Sequence, residues 1–267
     1  MKKIIAIMLC LAMTLCVFAG CSAAKKDDTA EKTDAAKTTE PAEKVWVIAT
    51  DNSFNPFDFK DADGKIVGID IDVINAIAED QGFKIEINSI GWKGAIAACQ
   101  GGQADGLIAG ASITDKRKQE GWIFSDSYYN ATQTMTVAAD STIKGFEDLK
   151  GKTVAVKTGT EGANYAESLK DKYGFTVTMF KDSPTMYQAV LGGQAVACFE
   201  DTPVMKASIK AGNLALKVLD NTANDGAGYG FAIFDANNQE LLDMFNKGLA
   251  NIKANGKYQE IIDKYLG

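Results

Sequence analysis

The 267-residue chain contains no histidine. That absence removes the commonest general base and metal ligand, and with them most nucleophile–base arrangements and histidine metal sites, though not a carboxylate-based enzyme. Positive charge is also short: 28 basic residues stand against 35 acidic ones, a net charge of -7. A nucleic-acid binder needs a basic face to release counterions from phosphate, so this balance argues against nucleic acid as a partner. Cysteine is scarce where it could cross-link. Cys10, Cys16 and Cys21 fall in the N-terminal segment described next, which leaves Cys99 and Cys198. Each sits in an apolar stretch and in a different half of the fold, so both read as buried free thiols. After residue 20 no apolar run approaches the roughly 20 residues of a membrane helix.

What is present begins with a leader. Lys2 and Lys3 precede an apolar run over residues 4–18 interrupted only by Thr14, the pattern of a signal peptide spanning residues 1–20. Its end, Val17-Phe18-Ala19-Gly20-Cys21-Ser22, resembles the bacterial lipobox, in which a cysteine after small residues receives lipid and becomes the mature N-terminus. Cys21 is the expected lipidation site. Residues 22–44 hold no aromatic residue and no Val, Leu, Ile or Met, so the segment from 21 to 44 cannot bury enough to fold and reads as a disordered tether. A tether of this kind reaches about 25–30 Å.

From residue 45 onward short apolar runs alternate with amphipathic segments, which predicts an α/β protein. Strands are expected over residues 45–50, 84–88, 104–109, 153–156, 176–179, 196–199 and 215–219. Ile69, Val73, Ile74, Ile77 and Ala78 make one helix face that Gly82 ends. Further helices are expected from Trp92 to about Cys99 and from near Thr160, and two more open with Ser183-Pro184 and Thr202-Pro203, a cap followed by proline. The helical tail over 238–266 breaks near Asn255-Gly256. This predicts two half-sized units, the second over residues 138–228, with crossovers at 134–137 and 229–234 acting as a hinge.

Several suggestive motifs fail. Gly151-Lys152-Thr153 precedes a strand and lacks the earlier glycine of a phosphate loop, since residue 146 is Phe. Asp61-Ala62-Asp63-Gly64 lacks the remaining calcium ligands and reads as a hairpin turn. Asn130-Ala131-Thr132 is a glycosylation acceptor only in a eukaryotic secretory route, which the leader argues against.

Four segments carry a family resemblance: Thr50-Asp51-Asn52-Ser53-Phe54-Asn55-Pro56-Phe57, Gly68-Ile69-Asp70-Ile71-Asp72, Ala109-Gly110-Ala111-Ser112-Ile113-Thr114-Asp115-Lys116-Arg117 and Val156-Lys157-Thr158-Gly159-Thr160. Phe124-Ser125-Asp126-Ser127-Tyr128-Tyr129 adds a fifth. With their order and spacing, residues 45–267 resemble the polar amino-acid family of bacterial solute-binding proteins. The resemblance implies a two-lobed, type II periplasmic-binding-protein-like fold, each lobe a mainly parallel sheet flanked by helices. It also implies that the C-terminal helices return to the first lobe, so that residues 229–267 join residues 45–137 there.

The site it implies follows the chemistry of a free amino acid, whose two charges must each be met in a buried site. Arg117, the chain's single arginine, can grip the ligand carboxylate through two parallel N–H bonds; as a mere structural residue it would make a helix-start salt bridge. Asp201 would take the ammonium, with Ser112 and the Gly110 carbonyl completing the cage, and could also cap the helix at Pro203. Thr160 at a helix start would add its N–H to the carboxylate. Phe54 and Trp92 match the two aromatic walls, whereas Phe57 and Phe59 read as core. Asp51 and Lys157 match positions that pair with an amide side chain. The sequence departs from the family at Val196, where aspartate is usual, and at Glu200, where a glutamine binder carries histidine. Glu200 adds negative charge, so glutamine leads and a cationic side chain such as arginine or lysine stays open.

The implied function is capture by hinge closure and delivery to the permease and ATPase of an ABC importer, by a monomer lipid-anchored at the outer face of the cytoplasmic membrane. No cofactor is implied. One rival is an enzyme of the same fold, a dehydratase acting on arogenate-like substrates, with Glu200 as its acid. Another is a ligand-sensing domain for a separate receptor.

Overall fold

The computed structural model describes residues 44–267. The expected leader, the Cys21 lipidation site and the tether up to residue 43 lie outside the described residues. Among those described, no helix is long and apolar enough to cross a membrane.

The chain starts with β1 (Val45–Thr50) and a small antiparallel ribbon of β2 (Ser53–Phe54), β3 (Asp58–Lys60) and β4 (Ile66–Val67). There follow α1 (Ile69–Gln81), β5 (Lys84–Ser89), α2 (Trp92–Gln100), β6 (Gly106–Leu107), the short α3 (Asp115–Gln119), β7 (Ile123–Phe124) and β8 (Tyr129–Ala131). The second half holds β9 (Gln133–Ala138), β10 (Thr153–Lys157), α4 (Glu161–Tyr173), β11 (Thr176–Phe180), α5 (Ser183–Leu191), β12 (Ala197–Asp201), α6 (Thr202–Gly212) and β13 (Leu216–Leu219). Then β14 (Ala227–Tyr229), β15 (Ala232–Ile233), α7 (Gln239–Ala254) and α8 (Lys257–Leu266) complete it.

Two five-stranded sheets result, ordered β5-β1-β6-β15-β7 and β11-β10-β12-β9-β13. They share a plan. Three parallel strands come from consecutive βα units, and a fourth, antiparallel strand is supplied by the chain beside its crossing, β15 in one sheet and β9 in the other. The α/β class follows from the sequence rhythm, and α7 packs on α1. There a Cβ on Gly248 would lie 2.7 Å from Ile77, so only glycine allows this approach. Ile74 and Ile77 of α1 are wholly buried with Phe245 and Leu249 of α7. Each such aliphatic side chain contributes about 1.5–3 kcal/mol by leaving water.

The crossing is displaced from its expected place. The joining ribbon is β8 paired antiparallel with β14, Tyr129 opposite Tyr229 and Ala131 opposite Ala227. Residues 134–137, expected as a crossover, lie instead inside the second sheet between β12 and β13. The reason is burial: all four are buried, and only a strand bonded on both edges satisfies its backbone there. Of residues 229–234, Tyr229 belongs to the ribbon and Ala232–Ile233 to the first sheet. The unit boundary expected at 137/138 therefore moves ahead of β9.

Two helix caps also move by one residue. Asp182, not Ser183, caps α5 by accepting from the Thr185 N–H at 2.9 Å. Asp201 occupies the cap position of α6 but makes no side-chain cap bond there. Both cysteines are free and buried, Cys99 against the first sheet and Cys198 in the second.

Candidate functional site

Parallel βα units place their strand-to-helix turns at one end of a sheet, which is where α/β proteins build ligand sites. Here the turns after β1, β6, β10 and β12 converge on one narrow, nearly closed cavity. Eight of the ten expected site residues line it, namely Phe54, Trp92, Gly110, Ser112, Arg117, Lys157, Thr160 and Asp201. Asp51 lies directly behind Lys157, and Glu200 does not face the cavity.

Arg117 is the chain's single arginine. It projects from α3, whose first turn is capped by Thr114 Oγ1 accepting from the Arg117 N–H at 3.3 Å. The guanidinium is 6% exposed, and its Nη1 donates to the Ser112 carbonyl at 2.8 Å. Trp92 and Trp122 lie 5.2 and 5.1 Å away by ring centroid, close enough for cation–π attraction. Its other contacts are long: the Gly159 carbonyl at 3.4 Å and Glu161 at 3.8 Å. Burial draws its pKa down, and Glu161 and Asp201 oppose that shift. The result is a charged fork, oriented by neutral partners, with donors to spare.

Asp201 ends β12 on the opposite wall. Its Oδ1 accepts from Gln133 Nε2, and its Oδ2 from the Tyr229 hydroxyl at 2.5 Å. Burial raises its pKa, while Tyr229, Gln133 and Arg117 hold it down. These donors fix the carboxylate, which lines the cavity and makes no capping bond. Neighbouring Glu200 points the other way, since successive strand residues face opposite sides. Its Oε2 accepts from the Ser183 hydroxyl at 2.7 Å and the Tyr187 hydroxyl at 3.2 Å. Burial, with Asp201 beside it, pushes its pKa up to about 7.

At the other end Lys157 Nζ pairs with Asp51 Oδ2, both side chains almost fully buried. Burial works against the lysine's charge, but Asp51 and Glu200 outweigh it and raise the pKa. Asp51 Oδ1 accepts from the Trp92 N–H at 3.1 Å, so one carboxylate both tethers α2 and holds the lysine. Trp92 Nε1 donates to the Gly159 carbonyl at 3.1 Å, and Phe54 lies 5.0 Å from Lys157 Nζ. Thr160 caps α4, its Oγ1 accepting from Ala163 at 3.2 Å, and so aims that helix's N-terminus at the cavity, a place that favours an anion. Gly110 has φ +53, and a Cβ there would lie 2.4 Å from the Phe54 ring.

Sequence reasoning missed Glu161, Trp122, Tyr229 and Gln133. Glu161 directly follows an expected site residue and was legible from that adjacency. The other three become visible only when the crossing ribbon and α3 are placed. Among the described residues no cluster of three or more metal-ligating side chains occurs.

The cavity thus offers a cationic fork only loosely paired with Glu161, an oriented carboxylate, a helix N-terminus and two aromatic walls. The Bacillus subtilis arginine-binding extracellular protein ArtP is 28% identical over 85% of this chain and 88% of its own. Lactococcus lactis GlnP substrate binding domain 2, in an open conformation, is 43% identical, covering 85% of this chain and 97% of that one, with a TM-score of 0.60. An ancestral arginine-binding protein, solved with arginine and with glutamine, is 35% and 36% identical, covering 84% of this chain and 98% of that one, with a TM-score of 0.77 in both forms. These neighbours share the two-sheet type II arrangement seen here. Residues 46–267 match the model of bacterial extracellular solute-binding proteins, family 3, and the chain belongs to that family of polar amino-acid binders.

Proposed function

We propose that the protein captures a polar amino acid between its two sheets and passes it to the permease of an ABC importer, with glutamine the leading ligand and arginine or lysine next. The observation that carries this reading is the pairing across one buried cavity of Arg117, with unused donors, and Asp201, with unused lone pairs. A zwitterion satisfies both ends at once, and a half-matched ligand leaves a buried charge unpaired. Asp51 and Lys157 offer an acceptor and a donor side by side, which is the complement of an amide group. The ancestral relative that takes either arginine or glutamine supports keeping both side chains in view.

Closure about the β8–β14 ribbon is the proposed motion, dividing the fold into residues 44–131 with 229–267 and the segment between them. The lower TM-score with the open domain, despite its higher identity, is what rotation of one unit would produce. A dehydratase is disfavoured because Glu200, its suspected acid, is bonded to Ser183 and Tyr187 rather than aimed into the cavity. We place the protein outside the cytoplasmic membrane, held by lipid on Cys21. Cell fractionation tests the anchor: Cys21→Ser is expected to move the protein from the membrane to the medium or periplasm, and unchanged membrane association overturns it.

The binding reading is tested by calorimetric titration against glutamine, arginine, lysine, histidine, glutamate and cystine. Tight one-to-one binding of glutamine or a cationic amino acid is the expected outcome. No heat with any of the six refutes the amino-acid assignment.

A further inference from the structure

Asp58 in β3 and Asp70 at the start of α1 are both 0% exposed. The Asp70 N–H donates to the Phe57 carbonyl at 2.9 Å, which brings the two residues side by side. Each carboxyl commits one oxygen to a defined donor: Asp58 Oδ2 accepts from Thr50 Oγ1 at 2.9 Å, and Asp70 Oδ2 from the Gly110 N–H at 2.7 Å. Each also keeps a buried Oδ1 with no hydrogen-bond partner in the structure, and the hydroxyl of Tyr128, which faces Asp70, is likewise unpartnered. Two such orphaned acceptors are costly, and two adjacent carboxylates in a dry interior cannot both stay ionised.

We infer that Asp58 and Asp70 share one proton, donated from Asp58 Oδ1 to Asp70 Oδ1, and that this acid pair is a positioning device fixing the Gly110 peptide in the cavity wall. The proton removes both orphans and leaves Asp70 anionic, as its bond from the Gly110 N–H favours. Burial pushes Asp70 up to about 7 against the pull of Tyr128 and Gly110. Burial, then Asp70 and Asp51, carry Asp58 well above the usual carboxylate range. The other titratable groups facing the pair are Lys157 toward Asp58, and Tyr128 and Tyr258 toward Asp70. Gly110 has no side chain to anchor it, so this bond from its N–H fixes the Ala109–Gly110 peptide, whose two residues both line the cavity. The consequence for ligand binding rests on the amino-acid reading above; the shared proton does not.

The first test needs no ligand. Denaturant stability of protein purified from cells is measured between about pH 5 and 7 for wild type and Asp58→Asn. The folded pair holds a proton that unfolded aspartates have released, so wild-type stability falls with rising pH, by up to about tenfold in the folding constant per pH unit more steeply than in the variant. Parallel slopes overturn the inference. In case Asp58→Asn does not fold, carbon-13 labelling of aspartate carboxyls in wild type is expected to show an acid still protonated at pH 7, and its absence also overturns it. For the positioning role, Asp70→Ala is expected to weaken binding of L-glutamine or L-arginine by about tenfold or more, and Asp70→Asn, whose amide oxygen still accepts from Gly110, to restore most of it. Equal losses in both variants overturn that role. If wild type binds neither ligand, the amino-acid reading fails, and the stability and carbon-13 results still decide the proton.

Discussion

The two ends of the cavity use the same ingredients differently. At one end Lys157 and Asp51 are buried against each other, each satisfying the other's charge. At the other, Arg117 has a single short bond, to Ser112, and meets Glu161 and Gly159 only at 3.8 and 3.4 Å. A cation held by aromatic faces and a carbonyl stays available; a cation locked to a carboxylate does not. On the proposed function, the open end would take the constant part of an amino acid, and the self-paired end would give way to the variable side chain.

That comparison can be broken or sharpened by titrating variants at both ends. Arg117→Ala is expected to weaken every ligand by about thirtyfold or more, since truncating one partner of a buried charge pair costs about 2–5 kcal/mol. Lys157→Met should be smaller and selective. Glutamine loses the donor to its amide oxygen, about tenfold, while arginine, able to replace the lysine against Asp51, loses less or gains. Equal losses for the two ligands would show that this end does not choose the side chain.

The smallest effect belongs to Glu200→Gln. The native carboxyl faces Ser183 and Tyr187, so affinity is expected to change by less than about threefold, within the range of a substitution that removes no ligand contact. The effect is on stability. The folded-state pKa of Glu200 is raised to about 7, so the acid form stabilises the fold at low pH and that contribution is lost as pH rises toward 7. The Glu200→Gln variant should flatten the decline between about pH 4.3 and 7 by up to about 1.4 kcal/mol per pH unit, read from urea midpoints. A large affinity loss would return Glu200 to the site.

Much of this was legible because it is local. Ile69, Val73, Ile74 and Ile77 write the α1 face, Gly82 stops the helix in a left-handed turn with φ 72, and Asp61 to Gly64 make the β3–β4 turn. Arg117 and Asp201 were nominated through the family resemblance, and the structure brings both to the wall of one cavity. The misplaced crossing shows the limit. Residues 134–137 are extended whether they cross between sheets or lie within one, and only the presence of β12 and β13 on either edge decides.

By itself the sequence determined the α/β rhythm, the leader pattern, the acidic balance and the residue types a polar amino acid requires. Those depend on period, composition and valence, which neighbours in sequence carry. Tertiary structure alone decided which charges meet: that Glu200 and Asp201 part to opposite faces of β12, that Lys157 closes on Asp51 from 106 residues away, and that Asp70 reaches the Gly110 peptide. Each is a contact between segments distant in the chain, and its energy depends on burial and orientation that no stretch of sequence contains alone.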